Sequence, residues 1–194
     1  VQGFGNVGSF FTLIVQKDQP NWQLVAASDS RAAVYDPEGL NARKLEQYKA
    51  QGKGFDDYED VKVISGEELI GLEVDVLVLA ALGDAVTETN MKQIKAKYIM
   101  EMANGPINEA AHKYLVGQGI LILPDIIANA GGVIVSYLEW LQNKADEHWS
   151  EDKVNKELEK YMVKAVDDLY KTAASLNLPF KEAAAVIALK RLVG

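Results

Sequence analysis

The sequence contains no cysteine, which excludes disulfides, zinc–thiolate sites and cysteine nucleophiles. Histidine is also scarce. The chain has two, His112 and His148, and their spacing matches neither H-x-x-x-H nor H-E-x-x-H. We therefore predict no metal site. The lack of cysteine fits a cytoplasmic location, where disulfides are rare.

Long apolar runs and clustered positive charges are missing as well. No run approaches the roughly 18 consecutive apolar residues of a membrane-spanning helix. The 20 lysines and arginines are scattered among 28 acidic residues, for a net charge of −8. Because nucleic-acid binding draws on clustered positive charge, we expect neither a nucleic acid nor a membrane as a partner.

Short β-rich runs alternate with helical runs along the first two thirds of the chain. Hydrophobic periodicity predicts strands at 23–28, 74–80, 98–102 and 120–123. The same periodicity predicts helices at 6–17, 42–51, 65–70, 89–95 and 108–116. This alternation predicts an α/β fold, with a Rossmann-like, doubly wound, mostly parallel sheet that has helices on both faces.

The last part of the chain has a helical pattern. Ser150 is a predicted N-cap followed by two acidic residues, and an amphipathic helix continues from it to Asn177. Pro179 suits the first turn of a second helix, at 180–192. We therefore assign residues 1–149 to a dinucleotide-binding domain. Residues 150–194 form a C-terminal helical extension that we expect to pack on the same domain.

A Gly-x-Gly-x-x-Gly pattern, formed by Gly3, Gly5 and Gly8, stands near the start of the sequence. In a Rossmann fold the first glycine makes a tight turn, the second admits a pyrophosphate, and the third lets the helix pack on the sheet. A predicted helix and strand follow, and Asp29 ends that strand. The pattern predicts a dinucleotide-binding loop. The alternative is a tight turn without a ligand.

Few residues precede this loop. Only Val1 and Gln2 stand before it, whereas the first strand of a Rossmann sheet is central. We therefore expect a truncated first strand, and we expect this chain to be a fragment of a longer protein.

The residues that follow the second predicted strand bear on the choice of cofactor. A carboxylate at Asp29 can accept hydrogen bonds from the adenine ribose of NAD and would repel the 2′-phosphate of NADP. Arg31 comes two positions later, after Ser30, and an arginine can pair with that phosphate. We favour NAD and leave NADP, or the use of both, open. An ordinary turn facing solvent is the alternative.

Three further segments combine small residues with polar ones. Ala80 and Ala81 end a strand, where open α/β sheets bind ligands, although they could equally be packing residues. Asn104 belongs to a turn-forming Asn-Gly-Pro sequence and could also donate to a ribose hydroxyl or a carboxamide. Asn129 precedes a glycine pair near a helix start, where it could cap the helix or bind a carboxamide.

Taken together, these segments resemble the glutamate/leucine/phenylalanine/valine dehydrogenase family. The matching residues run in order along the chain as GFGNVG at 3–8, SDS at 28–30, YDPEGL at 35–40, AAL at 80–82, ANGP at 103–106 and PDIIANAGGVIVSYLEWLQN at 124–143. The resemblance is greatest to glutamate-specific members, because Ser136 stands where leucine-type relatives carry an apolar residue. It implies reversible oxidative deamination of L-glutamate to 2-oxoglutarate and ammonia, with a nicotinamide cofactor accepting the hydride.

The resemblance also implies roles for individual residues. The pyrophosphate loop would consist of Gly3, Gly5, Asn6, Val7 and Gly8. The adenine ribose would be approached by Asp29 and Ser30, and the nicotinamide would be surrounded by Ala80, Ala81, Asn104 and Asn129. The substrate would be contacted by Val133 and Ser136, and the serine hydroxyl would bind the side-chain carboxylate of glutamate.

No catalytic residue is expected in this chain. In the family, the catalytic lysine and aspartate belong to an amino-terminal substrate domain, and no segment here matches that domain. The resemblance thus implies a chain that binds cofactor but is inactive alone. Family members are often hexamers, so we expect the full-length protein to be a homo-oligomer, with six subunits.

Two alternatives to this function stay open. One is a dehydrogenase of the same family that acts on a branched-chain or other amino acid, against which Ser136 argues. The other is a non-catalytic NAD-sensing module on the same fold, since a fold does not fix a function.

Overall fold

Short strands alternate with helices along the chain. The computed structural model describes residues 1–59 and 61–193. The strands are β1 (Ala26–Ser28), β2 (Ala33–Tyr35), β3 (Lys62–Ile64), β4 (Val76–Leu79), β5 (Tyr98–Glu101) and β6 (Leu121–Leu123). The helices are α1 (Asn6–Asp18), α2 (Ala42–Ala50), α3 (Gly66–Ile70), α4 (Glu109–Gly117), α5 (Asp125–Ala128), α6 (Ala130–Ala145), α7 (Glu151–Leu176) and α8 (Phe180–Val193).

Gln2 joins two three-stranded sheets into one. The strand orders are β1-β2-β3 and β4-β5-β6, and Gln2 forms parallel bridges to Ser28 of β1 and Leu79 of β4. The Gln2 N–H donates to the Val78 carbonyl, and the Ala80 N–H donates to the Gln2 carbonyl, both at 2.8 Å. The first residues of the chain therefore occupy the central position that the first strand of a Rossmann sheet takes.

The parallel half of the sheet confirms the predicted α/β fold. β4 pairs in parallel with β5, from Val76 opposite Tyr98 to Leu79 opposite Glu101. The other half differs from a uniformly parallel sheet, because β2 pairs antiparallel with both β1 and β3. Only the turn at 29–32 separates β1 from β2. A parallel pair would need a crossover of about a dozen residues or more, so this short connection forces an antiparallel hairpin.

The predicted helix at 89–95 is wrong. The structure has only a short 3-10 turn there, Met91–Gln93. The Asn90 side chain accepts from the Thr87 N–H at 2.9 Å and donates to the Ala85 carbonyl at 3.0 Å. Such side-chain bonds offer the backbone an alternative to the helical ladder, which explains why the helical pattern does not form a helix.

The chain contacts divide it into two compact units, Val1–Leu121 and a second from Ile122 onward. In the first unit, the core cluster is built around Phe55, which is fully buried and lies 5.6 Å from the Phe4 ring. Phe4 directly follows Gly3, so the packing of its ring fixes the start of the glycine loop. The cluster also contains Ala27, Val34, Leu40, Leu45 and Tyr58.

The second unit contains the long helices. The Ser150 side chain accepts from the Lys153 N–H at 3.4 Å, which confirms the predicted N-cap of α7. α7 ends at Leu176, and the backbone of its C-cap residue, Asn177, is left-handed. Leu169 and Ala173 of α7 pack with Ala183 and Ala184 of α8 in a buried cluster. Within residues 1–59 and 61–193, no helix is both long and apolar enough to cross a membrane.

The domain boundary after residue 149 stays a prediction. The last residue of the predicted helical extension, residue 194, lies outside the described part of the chain.

Candidate functional site

The glycine loop lies where three pieces of backbone meet. Gly3 has φ of +95°, a conformation that side chains other than glycine rarely adopt. A Cβ at Gly3 would stand 2.7 Å from the Ala81 nitrogen and 2.8 Å from the Ala80 carbonyl. The Gly3 N–H donates to the buried Ser28 hydroxyl at 3.1 Å. The loop is thus tied to the carboxyl ends of both β1 and β4.

Gly8 and Gly5 have opposite surroundings. A Cβ at Gly8 would overlap the carbonyl oxygen of Gly3, so the first turn of α1 can approach the loop only with glycine there. A Cβ at Gly5 would meet nothing within 4 Å, and Gly5 is exposed. The three glycines therefore match the turn, the open approach and the close helix packing that the sequence pattern predicts.

The start of α1 suits a bound anion. Gly5 holds the N-cap position, no side chain of the described residues caps this helix, and its first turn has no acidic residue. Asn6 and Val7, the first helical residues, are both exposed. The first N–H groups of a helix have no partner within it and carry the positive end of its dipole. They provide what a pyrophosphate needs.

The loops after β4 and β5 are held side by side. The Leu79 carbonyl accepts from the N–H groups of Met102 and Ala103, at 2.9 and 2.8 Å. Beyond them, the Asp84 N–H donates to the Gly105 carbonyl at 2.9 Å. These bonds bring the loop that begins with Ala80 and Ala81 next to the loop that contains Asn104, along the same edge of the sheet as the glycine loop.

Asp29 lies at this edge too, but its carboxylate faces the protein. Its side chain is 6% exposed. One oxygen, Oδ1, accepts from the N–H groups of Arg31 and Ala32, at 2.8 and 3.1 Å. The other, Oδ2, accepts from Lys49 Nζ at 2.5 Å and from the Phe55 N–H at 3.0 Å. A carboxylate offers about four lone-pair sites, so these contacts use all of them.

These contacts set the titration of Asp29. Burial by itself would raise the pKa of this carboxyl, but the hydrogen bond from Lys49 opposes it, followed by those from the backbone of Arg31, Ala32 and Phe55. The net result is a pKa below the ordinary value of 3.8. The group is therefore charged at neutral pH, and its charge is compensated within the protein.

Ser30 and Arg31 form the exposed part of the same turn. Arg31 makes an ion pair with Asp56 at 3.6 Å, and the two side chains are 54% and 44% exposed. Exposed pairs of this kind contribute little to stability, so the guanidinium can turn toward another anion at small cost.

The second unit contains the remaining predicted residues. Asn129 lies between α5 and α6 and holds the N-cap position of α6, without a capping hydrogen bond from its side chain. Val133 and Ser136 lie one turn apart on α6 and are both exposed, Val133 to 75%. Their roles, like those of the predicted residues of the first unit, stay predictions.

Sequence reasoning missed two residues that organise this edge. Ser28 accepts a hydrogen bond from the Gly3 N–H through its hydroxyl, and its place just before Asp29 is the signal that could have pointed to it. Lys49 stands on α2, far from Asp29 in the sequence, and no spacing rule connects the two. Only the fold brings its ammonium group to the end of β1.

The two glycines with opposite surroundings give a matched test. We expect Gly8→Ala to lower the free energy of unfolding by about 1–3 kcal/mol, because the new methyl group overlaps backbone. Gly5→Ala should change it by less than about 0.5 kcal/mol, because the methyl group enters open space. Urea unfolding followed by circular dichroism measures both. Equal losses would contradict the assigned geometry.

The lowered pKa of Asp29 predicts how stability depends on pH. Because the folded state lowers this pKa, the ionised carboxylate stabilises the protein above the ordinary value of 3.8, and that contribution disappears as the pH falls through the lower folded value. The parent chain should therefore exceed Asp29→Asn in unfolding free energy at pH 7, and the difference should shrink below about pH 4. Urea titrations across this range measure it. A difference that stays constant to pH 3 would contradict the ion pair.

Comparisons with known proteins identify the family of this chain. The family model described as Glutamate/Leucine/Phenylalanine/Valine dehydrogenase matches residues 1–194. A glutamate dehydrogenase of Thermotoga maritima is 43% identical over 192 residues, which is 99% of this chain and 46% of the relative. The NADP-specific glutamate dehydrogenase A1 of Halobacterium salinarum is 40% identical over all of this chain and 46% of its own length.

A solved structure has the same fold. The hetero-hexameric glutamate dehydrogenase of Thermus thermophilus, in its leucine-bound form, superposes with a TM-score of 0.88 at 35% identity, over 99% of this chain and 45% of that one. The chain thus spans slightly less than half the length of the relatives it matches. With a glycine loop on the carboxyl edge of the sheet and a family match along its whole length, the chain belongs to the glutamate/leucine/phenylalanine/valine dehydrogenase family.

Proposed function

We propose that this chain is the cofactor-binding part of an NAD(P)-dependent glutamate dehydrogenase. The reaction of the whole protein converts L-glutamate, NAD(P)⁺ and water to 2-oxoglutarate, ammonia and NAD(P)H. The observation that carries the proposal is the open space at Gly5, between two glycines that leave no room for a side chain. Relatives named glutamate dehydrogenase, with and without the NADP-specific label, support it.

The edge of the sheet suggests how the cofactor would be held. The pyrophosphate would lie over Gly5, where the N–H groups of Asn6 and Val7 begin α1. The nicotinamide would lie toward Ala80 and Ala81, whose small side chains leave the strand end flat. Asn104, in the adjoining loop, carries an amide that matches a carboxamide or a ribose hydroxyl.

Substrate recognition would come from α6. Val133 offers an apolar surface and Ser136 a hydroxyl donor on the next turn of the helix. A hydroxyl donor discriminates between glutamate and an apolar amino acid, because the apolar substrate would leave it without a partner in a closed cleft. The exposed state of both side chains in this unit leaves them accessible to a ligand. Asn129, just before α6, would approach the nicotinamide end.

The protein supplies orientation, and the cofactor, when bound, supplies the hydride acceptor. We propose that no residue of this chain moves a proton in the reaction, since the lysines and aspartate with which the family does so have no match here. The chain alone would then bind NAD or NADP without turnover. For the whole protein we propose a cytoplasmic homo-hexamer. The location rests on the cysteine-free composition. The number of six subunits rests on the Thermus thermophilus relative, which is named a hetero-hexamer, and the identity of the subunits rests on the family resemblance alone.

Cofactor binding by the chain can be measured directly. Millimolar NAD or NADP should raise the melting temperature by roughly 5–10 °C, because a ligand at 100 times its Kd stabilises by about 2.7 kcal/mol. The Gly5→Ala variant, which keeps the fold, should lose most of this shift because its methyl group occupies the space for the pyrophosphate. No shift with either nucleotide in the parent chain would contradict the assignment of the glycine loop.

Substrate recognition requires the full-length protein. We expect it to oxidise L-glutamate, and we expect Ser136→Ala to lower kcat/KM for glutamate about tenfold to a hundredfold, the loss of one hydrogen bond to a charged group. The KM for the cofactor, measured in the same assays, should change little and serves as the internal control. Activity on leucine but not glutamate would favour the branched-chain alternative. No activity on any amino acid would favour the NAD-sensing module.

A further inference from the structure

We propose that Lys49 sets the cofactor preference of this protein by neutralising Asp29 and holding its carboxylate away from the cofactor. The inference rests on the proposed binding of NAD or NADP at this edge of the sheet. An acidic residue at the end of the second strand is expected to select NAD, because it receives the ribose hydroxyls and repels a 2′-phosphate. Asp29 is this acidic residue, but its contacts leave it able neither to receive the ribose hydroxyls nor to repel a 2′-phosphate.

The orientation of Asp29 is fixed from two sides. The turn after β1 binds Oδ1 through two backbone N–H groups, whereas Lys49 and the Phe55 N–H bind Oδ2. Rotation of the carboxylate toward solvent would break contacts on both oxygens at once. With its lone pairs in use and its side chain 6% exposed, the carboxylate has no site left for a ribose hydroxyl.

Lys49 is itself held in place. Its side chain is 29% exposed, and its ammonium group lies 5.3 Å from the centre of the Phe55 ring. That ring is fully buried in the core of the first unit. The ammonium therefore has a cation–π contact as well as the ion pair, and both direct it at Asp29.

The charges at this edge consequently differ from those suggested by the sequence. Asp29 and Lys49 cancel, which leaves the exposed guanidinium of Arg31 beside them, in a loose pair with Asp56. A 2′-phosphate approaching this turn would meet no uncompensated carboxylate from Asp29. We therefore expect the parent protein to bind NADP and NAD with comparable affinity, within about fivefold.

Removal of the ammonium group tests this directly. We expect Lys49→Met to weaken NADP binding about tenfold more than NAD binding, because Asp29 keeps its charge and loses its compensation. The difference should diminish at high salt, because salt screens the repulsion between the Asp29 carboxylate and the solvent-facing 2′-phosphate. Isothermal calorimetry with NAD and NADP, at 50 mM and 500 mM salt, measures both Kd values. Lys44→Met, which removes an exposed lysine from the same helix, is the matched control and should leave their ratio unchanged.

A double variant separates action through Asp29 from direct contact with the cofactor. If Lys49 acts through Asp29, then Asp29→Asn combined with Lys49→Met restores the NADP-to-NAD ratio to within about twofold of the parent value. If Lys49 binds the 2′-phosphate itself, the double variant stays poor in NADP binding and the proposal is overturned. Equal losses for both cofactors in Lys49→Met, with folding verified by circular dichroism, would also overturn it.

The same experiment distinguishes failure of this inference from failure of the proposed function. A parent chain that binds neither nucleotide overturns the cofactor-binding function and this inference with it. A parent that binds both, with a ratio unaffected by Lys49→Met, retains the function and overturns only the role of Lys49.

Discussion

The close approach of Gly3 to the end of β4 is the constraint on which the rest of the site depends. At that point the backbone of the loop passes the backbone of Ala80 and Ala81 with no space for a side chain. Gly8 lets the first turn of α1 close on the loop from the other side. The close contacts at Gly3 and Gly8 thus position the sheet edge, the helix start and the loop relative to one another. Gly5, between these two glycines, is exposed to solvent.

Much of this could be predicted from the sequence, because the signals were local. The three glycines, the apolar run of β4 and the N-cap at Ser150 each combine a residue type with a spacing that only one backbone conformation satisfies. The antiparallel edge was not predictable in the same way. β2 and β3 are three residues long, which is too short for alternation to be recognised. The length of the turn before β2 sets only the pairing of β2 with β1.

The role of Asp29 shows where sequence reasoning ends. Its position correctly places it at the end of a strand beside the glycine loop, and the same position suggests a carboxylate that faces a ligand. What turns the carboxylate inward are a lysine from α2 and a backbone N–H at Phe55, and both arrive through tertiary structure. Residue identity thus locates the group in the fold, whereas its hydrogen-bond partners decide what the group can still bind. Ser28 and Lys49 were missed for the same reason, because their hydrogen-bond partners come from other parts of the chain.

The hydrogen bonds that join the loops after β4 and β5 have an energetic consequence for binding. The Asp84 N–H donates to the Gly105 carbonyl, and Val86 and Ile107 continue the pairing as a parallel bridge. The backbone of these loops is therefore ordered when the chain folds. Binding of a ligand at this edge therefore does not have to offset the loss of conformational entropy that ordering two free loops would cause. More of the free energy of its contacts remains as affinity.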